Sequence, residues 1–507
     1  MDERSRRAKL NIIVSLLCQA VTLVCGLLIP RLMINSFGSE VYGATASIAQ
    51  FLAYITLLEG GIGGVARAAL YKPLAENNFE TVSAIVNEIK RFFRVIAYVF
   101  IAYVAILAVS YKSISNVESL DWISTALLVV VISISTFGQY FIGISYSVLL
   151  QASQKAYISN IVSVVGTIVN TVMVIILVHA DCNIIVVKLV SSIVFVLRPV
   201  ALWLYVKKHY KLVKCDKDYP VYLTQKTTGL GQHIAFFMHS NTDVVVLTWF
   251  ANLTSVAVYS VYHMVVSQIQ NITSSFSTGM EAVFGDMLAR GEKDQLNKTF
   301  GYYETLISAV STVLFSCTAV LIVPFVKLYT FGVTDADYIA PLFAVLLILG
   351  AYMTCLRMPY HSMTIAAGHF KQTRMAAYGE VLINIGLSVV LVWNFGLVGV
   401  AIGTLAAVMF RFLFYVIYLA KHIFYRSVWL FVKRIAVNTV GFSITYAAGS
   451  LAFAQLDISN YFYWILCAIV TALFSVAITV GTNAIFYKKE FIPILKSMKS
   501  KTRKREG

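Results

Sequence analysis

Charge is scarce in this sequence, and most of it has one sign. Charged residues make up 13% of the 507 residues, against about 25% in a soluble protein. Acidic residues number only 24, beside 40 Lys and Arg. Hydrophobic residues reach 59%, where about 45 to 50% is usual. This composition excludes an ordinary soluble domain and predicts an integral membrane protein.

Common catalytic and metal-binding signatures are also missing. The seven cysteines are an odd number, and no CxxC pair occurs, which argues against a disulfide framework or a cysteine metal site. No HExxH, GxSxG or P-loop lysine motif is present. The longest hydrophilic connections, residues 67–91 and 207–226, are too short for a soluble domain. We therefore expect neither an enzyme nor a cofactor, and only a coupling ion such as H⁺ or Na⁺.

Long apolar runs fill most of the chain. A membrane-spanning helix needs about 20 apolar residues, and the sequence predicts fourteen such segments. They cover residues 10–34, 41–66, 92–111, 122–150, 156–179, 185–206, 227–249, 254–280, 302–326, 339–366, 376–394, 397–419, 435–455 and 462–486. The predicted fold class is an all-α polytopic membrane protein.

The basic residues indicate the orientation. Of the 40 Lys and Arg residues, 33 fall on the side of the two termini in this arrangement, so the positive-inside rule predicts cytoplasmic termini. The first segment follows MDERSRRAK without a cleavage pattern, and we interpret it as a retained helix. The basic tail KSMKSKTRKREG is expected to contact anionic membrane lipids rather than nucleic acid.

Three landmarks recur at nearly one spacing and predict an internal duplication. They are Tyr42 and Tyr259, Lys155 and Lys371, and Arg198 and Arg411, with offsets of 217, 216 and 213 residues. The sequence therefore predicts two six-helix copies with the same orientation, like the parallel repeats found in some transporters. The predicted domains are an N-terminal bundle at 1–220, a C-terminal bundle at 221–430, two further helices at 431–490 and a basic cytoplasmic tail at 491–507.

Three stretches carry a family resemblance over nearly the whole chain. LLEGGIGGVARAAL, NTDVVVLTWFANLTSVAVYSV and GLVGVAIGTLAAVMF resemble, in this order, motifs of the polysaccharide and lipid-linked oligosaccharide (Wzx-like) flippases. These belong to the multidrug/oligosaccharidyl-lipid/polysaccharide (MOP) exporter superfamily. The first stretch departs from the pattern, because Glu59 is followed by two glycines where the family more often has Asp, Leu and Gly.

The resemblance implies a fold and a function. The fold is two MATE-like bundles that form a V around a central cavity. The function is export of undecaprenyl-pyrophosphate-linked oligosaccharide to the outer leaflet of a bacterial cytoplasmic membrane, for O-antigen or capsule biosynthesis. Other polysaccharide-assembly membrane proteins are then expected as partners.

A pyrophosphate cargo calls for cationic side chains. Arginine remains charged and binds two oxygens with its planar fork, so the candidate substrate-binding residues are Arg357, Arg31, Arg67, Arg198, Arg411 and His361. His361 lies four residues after Arg357 and shares its helix face. For the other arginines, anchoring at the membrane interface is the alternative interpretation. Glu380 is expected to be solvated near a cytoplasmic helix end.

Acids inside predicted spans suggest ion coupling, because they are expensive there. Asp243 and Glu59 are the candidates, and His239 lies four residues before Asp243 on one helix face. A structural acid held by hydrogen bonds is the alternative in both cases. With Glu59, the glycines Gly60 and Gly61 are predicted to form a mobile, closely packed gate.

Two other functions remain open at this point. A cation-coupled drug or metabolite antiporter would favour an acidic cavity, and the arginines in or near spans argue against it. A membrane glycan polymerase or ligase usually needs a large outer loop, which this sequence lacks.

Overall fold

The described part of the chain is built from helices without a strand. The computed structural model describes residues 3–59, 62–210, 212, 230–277, 279–453, 456 and 458–487, apart from the side chains of residues 3–9, 12, 230–233, 235, 236, 239 and 240. The α-helices are α1 Glu3–Ala53, α2 Ile62–Ala75, α3 Phe79–Ser115, α4 Trp122–Gly138, α5 Ile144–Ala152, α6 Ala156–His179, α7 Ile184–His209, α8 Leu230–Phe250, α9 Leu253–Ser275, α10 Met280–Ala289, α11 Lys293–Tyr329, α12 Pro341–Ala366, α13 Phe370–His422, α14 Trp429–Phe453 and α15 Tyr461–Phe486. A 3₁₀ turn at Tyr54–Glu59 follows α1, and a π-helix at Gln139–Gly143 joins α4 to α5.

Ten helical stretches in the described residues are long and apolar enough to cross a membrane. Two of them cover two predicted segments each, because α1 bends at Gly38 (φ 83°, ψ 165°) and α13 bends at Gly396 (φ 50°, ψ −125°). Only glycine adopts such positive φ values readily. Helices α8 and α9 correspond to predicted segments seven and eight. The all-α polytopic architecture is therefore confirmed, and the described residues of each predicted segment lie mainly on helix.

The chain divides into two compact units. Unit 1 contains residues 1–237 and 247–258, and unit 2 contains 238–246 and 259–507. The predicted boundary at 220/221 lies outside the described residues, so the four predicted domains stay a prediction.

Left-handed turn residues recur with the duplication. Four non-glycine residues with positive φ in the first copy each have a glycine with positive φ in the second, 214 to 216 residues later. These four left-handed pairs are Asn77 and Gly291, Asn116 and Gly332, Gln154 and Gly368, and Asp181 and Gly396. Each residue follows the end of a helix or helical segment, so the two copies end their helices at matching places.

Unit 1 is held by close helix contacts. A Cβ atom on Gly43 would fall on the backbone carbonyl of Leu253, so glycine allows α1 and α9 to approach closely. One turn further along α1, Ser47 and Thr248 share a buried hydrogen bond of 2.7 Å between their hydroxyl groups.

In unit 2, α11 packs against α12, α14 and α15. Hydrogen bonds between small polar side chains join these helices: the Ser316 and Ser475 hydroxyls lie 2.8 Å apart, and Thr312 contacts Tyr352 Oη at 2.9 Å. Such bonds hold helices together where burial of apolar surface provides little driving force.

Candidate functional site

A buried carboxylate lies between two arginines in unit 2. Arg357 on α12 donates to Glu380 Oε1 at 2.5 Å, and Arg411 donates to Oε2 of the same side chain. Glu380 is 0% exposed, Arg357 7% and Arg411 3%. We call these residues the Glu380 triad. Its net charge is one positive unit.

The bend in α13 brings the triad together. Glu380 precedes Gly396 by sixteen residues and Arg411 follows it by fifteen, so an antiparallel fold at the glycine places them at similar depth. Asn384 Nδ2 donates to Thr404 Oγ1 at 2.8 Å across the same hairpin. The expectation of a solvated Glu380 is wrong, because the two arms of α13 enclose it.

Tyr415 connects the triad to His361. The Tyr415 hydroxyl accepts from Arg411 Nη2 at 3.0 Å and lies 3.4 Å from His361 Nδ1. His361, which was predicted to share a helix face with Arg357, therefore belongs to the same polar cluster. Its contact with the cluster is through Tyr415.

A second buried carboxylate was not predicted. Glu304 on α11 accepts from Tyr360 Oη and from Arg426 Nη2 at 3.2 Å, and it forms an ion pair with Arg434. Glu304 is 3% exposed and Arg434 7%. We call these residues the Glu304 cluster. Because Tyr360 lies one helical turn from Arg357, α12 contributes to both charged groups.

Asp243 lies in a third polar group of unit 2. Its carboxylate is 5% exposed and accepts from Tyr259 Oη at 3.0 Å and from Thr404 Oγ1 at 2.9 and 3.0 Å. Together with Asn384, these residues form the Asp243 network. Within the described part of the chain, the buried Asn384 Oδ1 atom has no hydrogen-bond donor. The side chain of the predicted partner His239 lies outside the described residues.

In unit 1, Glu59 lies at the end of the 3₁₀ turn and accepts a hydrogen bond from Tyr140. Tyr140 is buried and belongs to the π-helix between α4 and α5. Two irregular helical segments therefore meet at one carboxylate, and π-helical turns are frequent at functional positions. Gly60 and Gly61 lie outside the described residues.

The candidate arginines of unit 1 are more accessible than those of unit 2. Arg67 is exposed and donates to Gln151 Oε1 at 2.8 Å. Arg198 is half-buried, donates to Thr167 Oγ1 at 2.8 Å and lies over the ring of Phe195. Arg31 is half-buried. They do not join one cluster in the described contacts.

The fold resembles solved transporters at low sequence identity. A lipid II flippase MurJ in an inward closed conformation matches 95% of this chain and 99% of its own, with 16% identity and a TM-score of 0.67. An inward-facing multidrug resistance MATE family transporter of the MOP superfamily matches 81% of this chain and 98% of its own, with 16% identity and a TM-score of 0.60. The chain has the fold of the MOP-superfamily transporters.

A eukaryotic MATE transporter, AtDTX14, also shows this fold, covering 94% of this chain and 100% of its own at 14% identity and a TM-score of 0.54. No family model and no curated protein sequence matches the chain. These three solved structures are a flippase and two transporters.

Proposed function

We propose that this multi-pass membrane protein is a flippase for undecaprenyl-pyrophosphate-linked oligosaccharide. It moves the lipid-linked sugar from the cytoplasmic to the outer leaflet of a bacterial cytoplasmic membrane by alternating access, for surface polysaccharide biosynthesis. Transport is coupled to a H⁺ or Na⁺ gradient. The observation that carries the proposal is the likeness to a lipid II flippase along 95% of the chain.

Cationic side chains support an anionic cargo. The sugar and pyrophosphate cannot cross hydrocarbon unaided, and guanidinium groups suit a pyrophosphate. In unit 1, Arg31, Arg67 and Arg198 are exposed or half-buried, and we propose them as headgroup contacts. Arg357 and Arg411 can contact the cargo only while sharing their charge with Glu380, which already binds both.

The Asp243 network supports ion coupling. A buried acid inside a span is costly and is a functional candidate by default. Hard cations take oxygen ligands, and this network gathers carboxylate and hydroxyl oxygens beside Asn384 Oδ1, which has no donor among the described residues. We propose that a Na⁺ ion or a proton binds Asp243 in one state of the cycle and leaves in the other.

Glu59 and the two glycines after it are proposed as a gate in unit 1. The supporting observation is the meeting of a 3₁₀ turn and a π-helix at the hydrogen bond between Glu59 and Tyr140. Replacing Gly61 by leucine is expected to reduce transport more than insertion into the membrane. Equal loss of both would leave a folding role alone.

A cation-coupled drug or metabolite antiporter is the second candidate. Its support is the likeness to a multidrug resistance MATE family transporter together with the buried acid of the Asp243 network. The Glu380 triad and the Glu304 cluster each contain two arginines and one glutamate. This excess of cationic side chains favours the flippase.

A flipping assay in proteoliposomes tests the proposal. The substrate is a lipid-pyrophosphate oligosaccharide with a sugar label accessible from outside, with and without an imposed pH or Na⁺ gradient. Protein-dependent translocation that responds to one gradient, and loses that response in Asp243→Asn, is expected. Movement of a small organic cation without translocation of any oligosaccharide lipid would refute the flippase and support the antiporter.

Two further variants separate substrate contact from packing in the Glu380 triad. Arg357→Ala removes the guanidinium group, whereas Glu380→Gln keeps it and removes its partner. If Arg357 contacts the cargo, only Arg357→Ala lowers the flipping rate per folded molecule. Equal loss in both variants would assign Arg357 to packing.

A further inference from the structure

Unit 1 contains a cavity of about 490 Å³ where two turns meet the end of α7. The turns follow α2 and α5, and the wall includes Tyr71, Phe79, Lys155 and Tyr210. Sites for small organic ligands usually have volumes of about 300 to 1,000 Å³. The cavity is therefore large enough for such a ligand, and it involves none of the residues proposed for transport.

The rim of the cavity is fixed by the protein itself. Gln154 adopts a left-handed conformation with φ 59° at the end of α5. Asn11 on α1 donates from Nδ2 to the Gln154 carbonyl at 3.1 Å, and its Oδ1 accepts from the Tyr157 amide at 2.7 Å. This bridge holds the turn in place.

The lining favours a negatively charged group. It contains no Asp or Glu among the described residues, and its one charged side chain is Lys155, whose ammonium lies 5.0 Å from the ring centroid of Tyr210. Lys155 immediately precedes α6 and does not cap it, and in the first turn the Tyr157 amide already donates to Asn11 Oδ1. A helix N-terminus adds a partial positive charge. An anion at this position would meet both.

Aromatic rings provide the rest of the wall. Tyr71 is 56% exposed and Phe79 38% exposed, although both belong to the cavity lining. Their faces suit an apolar or ring-bearing organic group rather than a bare inorganic ion.

The second copy of the duplication closes the corresponding place. The positive-φ residues Gln154 and Gly368 set an offset of 214 at this turn, so Lys155 corresponds to His369 and not to Lys371, which the sequence landmarks predicted. His369 lies 2.9 Å from the Tyr418 hydroxyl. Tyr210 corresponds to Phe424, which is 6% exposed and packs 4.3 Å from the Phe300 ring. Since Tyr210 lines a cavity in the first copy and Phe424 is buried in the second, the opening is not a requirement of the fold.

We propose that this cavity binds an organic phosphate, with Lys155 pairing with the phosphate and the aromatic rings covering the organic part. The phosphate comes either from a membrane phospholipid headgroup or from a soluble phosphate ester. The proposal goes beyond transport and does not depend on the cargo.

Binding is measured by native mass spectrometry on the purified full chain in detergent. The probes are a short-chain phosphatidylglycerol, glycerol 3-phosphate and a diacylglycerol of the same chain length, which lacks the phosphate. Binding of phosphatidylglycerol alone assigns a lipid source, and equal binding of glycerol 3-phosphate assigns a soluble one. Binding of neither phosphate, or equal binding of the diacylglycerol, overturns the proposal.

Variants locate the bound molecule. Lys155→Gln is expected to weaken phosphate binding about fivefold, the equivalent of the ~1 kcal/mol that one basic residue contributes near a membrane surface. Lys155→Arg restores it. Ala75→Phe, at an exposed lining residue, fills the cavity and abolishes binding. His369→Gln, at the corresponding position of the second copy, leaves binding unchanged. Wild-type binding by both Lys155→Gln and Ala75→Phe would place the ligand elsewhere and refute the site.

Discussion

Replacing Glu380 by glutamine should destabilise unit 2 strongly. The side chain is 0% exposed and is the only carboxylate that binds either arginine of the triad among the described ion pairs. Removing one partner of a buried ion pair costs about 3 to 5 kcal/mol, because the other charge stays buried without compensation. Here two guanidinium groups lose their partner. Tyr415 continues to accept from Arg411, so we expect a loss within this range rather than twice it.

The reciprocal change should cost less. Arg357→Met leaves Glu380 paired with Arg411, so the carboxylate keeps one charged donor. The loss is then that of one hydrogen bond to a charged group, about 1.5 to 3 kcal/mol. In the double variant Glu380→Gln with Arg357→Met, one uncompensated charge is absent. The destabilisation of the double variant should be about 1 to 3 kcal/mol smaller than the sum of the two single-variant destabilisations, which is the coupling usual for residues in direct contact.

Thermal unfolding of the purified full chain in one detergent, followed by tryptophan fluorescence, ranks the variants. Asp286→Asn is the matched control, because its ion pair with Arg290 spans 3.0 Å but both side chains are more than half exposed. A surface helix pair contributes about 0.3 to 0.5 kcal/mol. If Glu380→Gln unfolds at the same temperature as Asp286→Asn, the reasoning from burial is wrong. It is also wrong if Arg357→Met lowers the unfolding temperature more than Glu380→Gln does.

Three further predictions concern other contacts. Thr404→Val should weaken the response of flipping to the ion gradient, because it removes the hydroxyl that donates to both oxygens of the Asp243 carboxylate; an unchanged response would exclude the network from coupling. Gly43→Ala should lower the unfolding temperature, since overpacking costs about 1 to 3 kcal/mol, whereas Gly26→Ala on the same helix, with open space around it, should not. Tyr140→Phe should destabilise unit 1 by about 1 to 3 kcal/mol, because Glu59 loses a buried donor; a stability equal to that of the wild type would contradict this.

The lengths of the apolar segments are sufficient to predict most of the fold. The described residues of the fourteen apolar segments lie mainly on helix, because a chain in lipid has to satisfy its backbone hydrogen bonds within the segment. Apolarity alone did not reveal where two segments join through a glycine bend, as at Gly38 and Gly396. The order of the motifs predicted the superfamily fold, while the domain boundaries remain a prediction.

The candidate site was harder to predict, because pairing partners lie far apart in sequence. Arg357 and Asp243 were identifiable as charges within apolar runs. Their partners Glu380 and Thr404 follow them by 23 and 161 residues, and nothing local indicates these contacts. Glu304 lies near the start of the predicted span 302–326, and an acid at that position is the signal from which its burial could be predicted.

The four left-handed pairs have a consequence for how the two copies diverged. Every pair has glycine in the second copy, but in the first copy an Asn, Asp or Gln residue also has a positive φ, which costs a residue with a Cβ roughly 1 to 2 kcal/mol. A positive φ is thus common to both copies at each of these turns, although the residue type differs. A comparison of the two halves should accordingly use backbone conformation, since the residue type differs between the copies at all four of these turns.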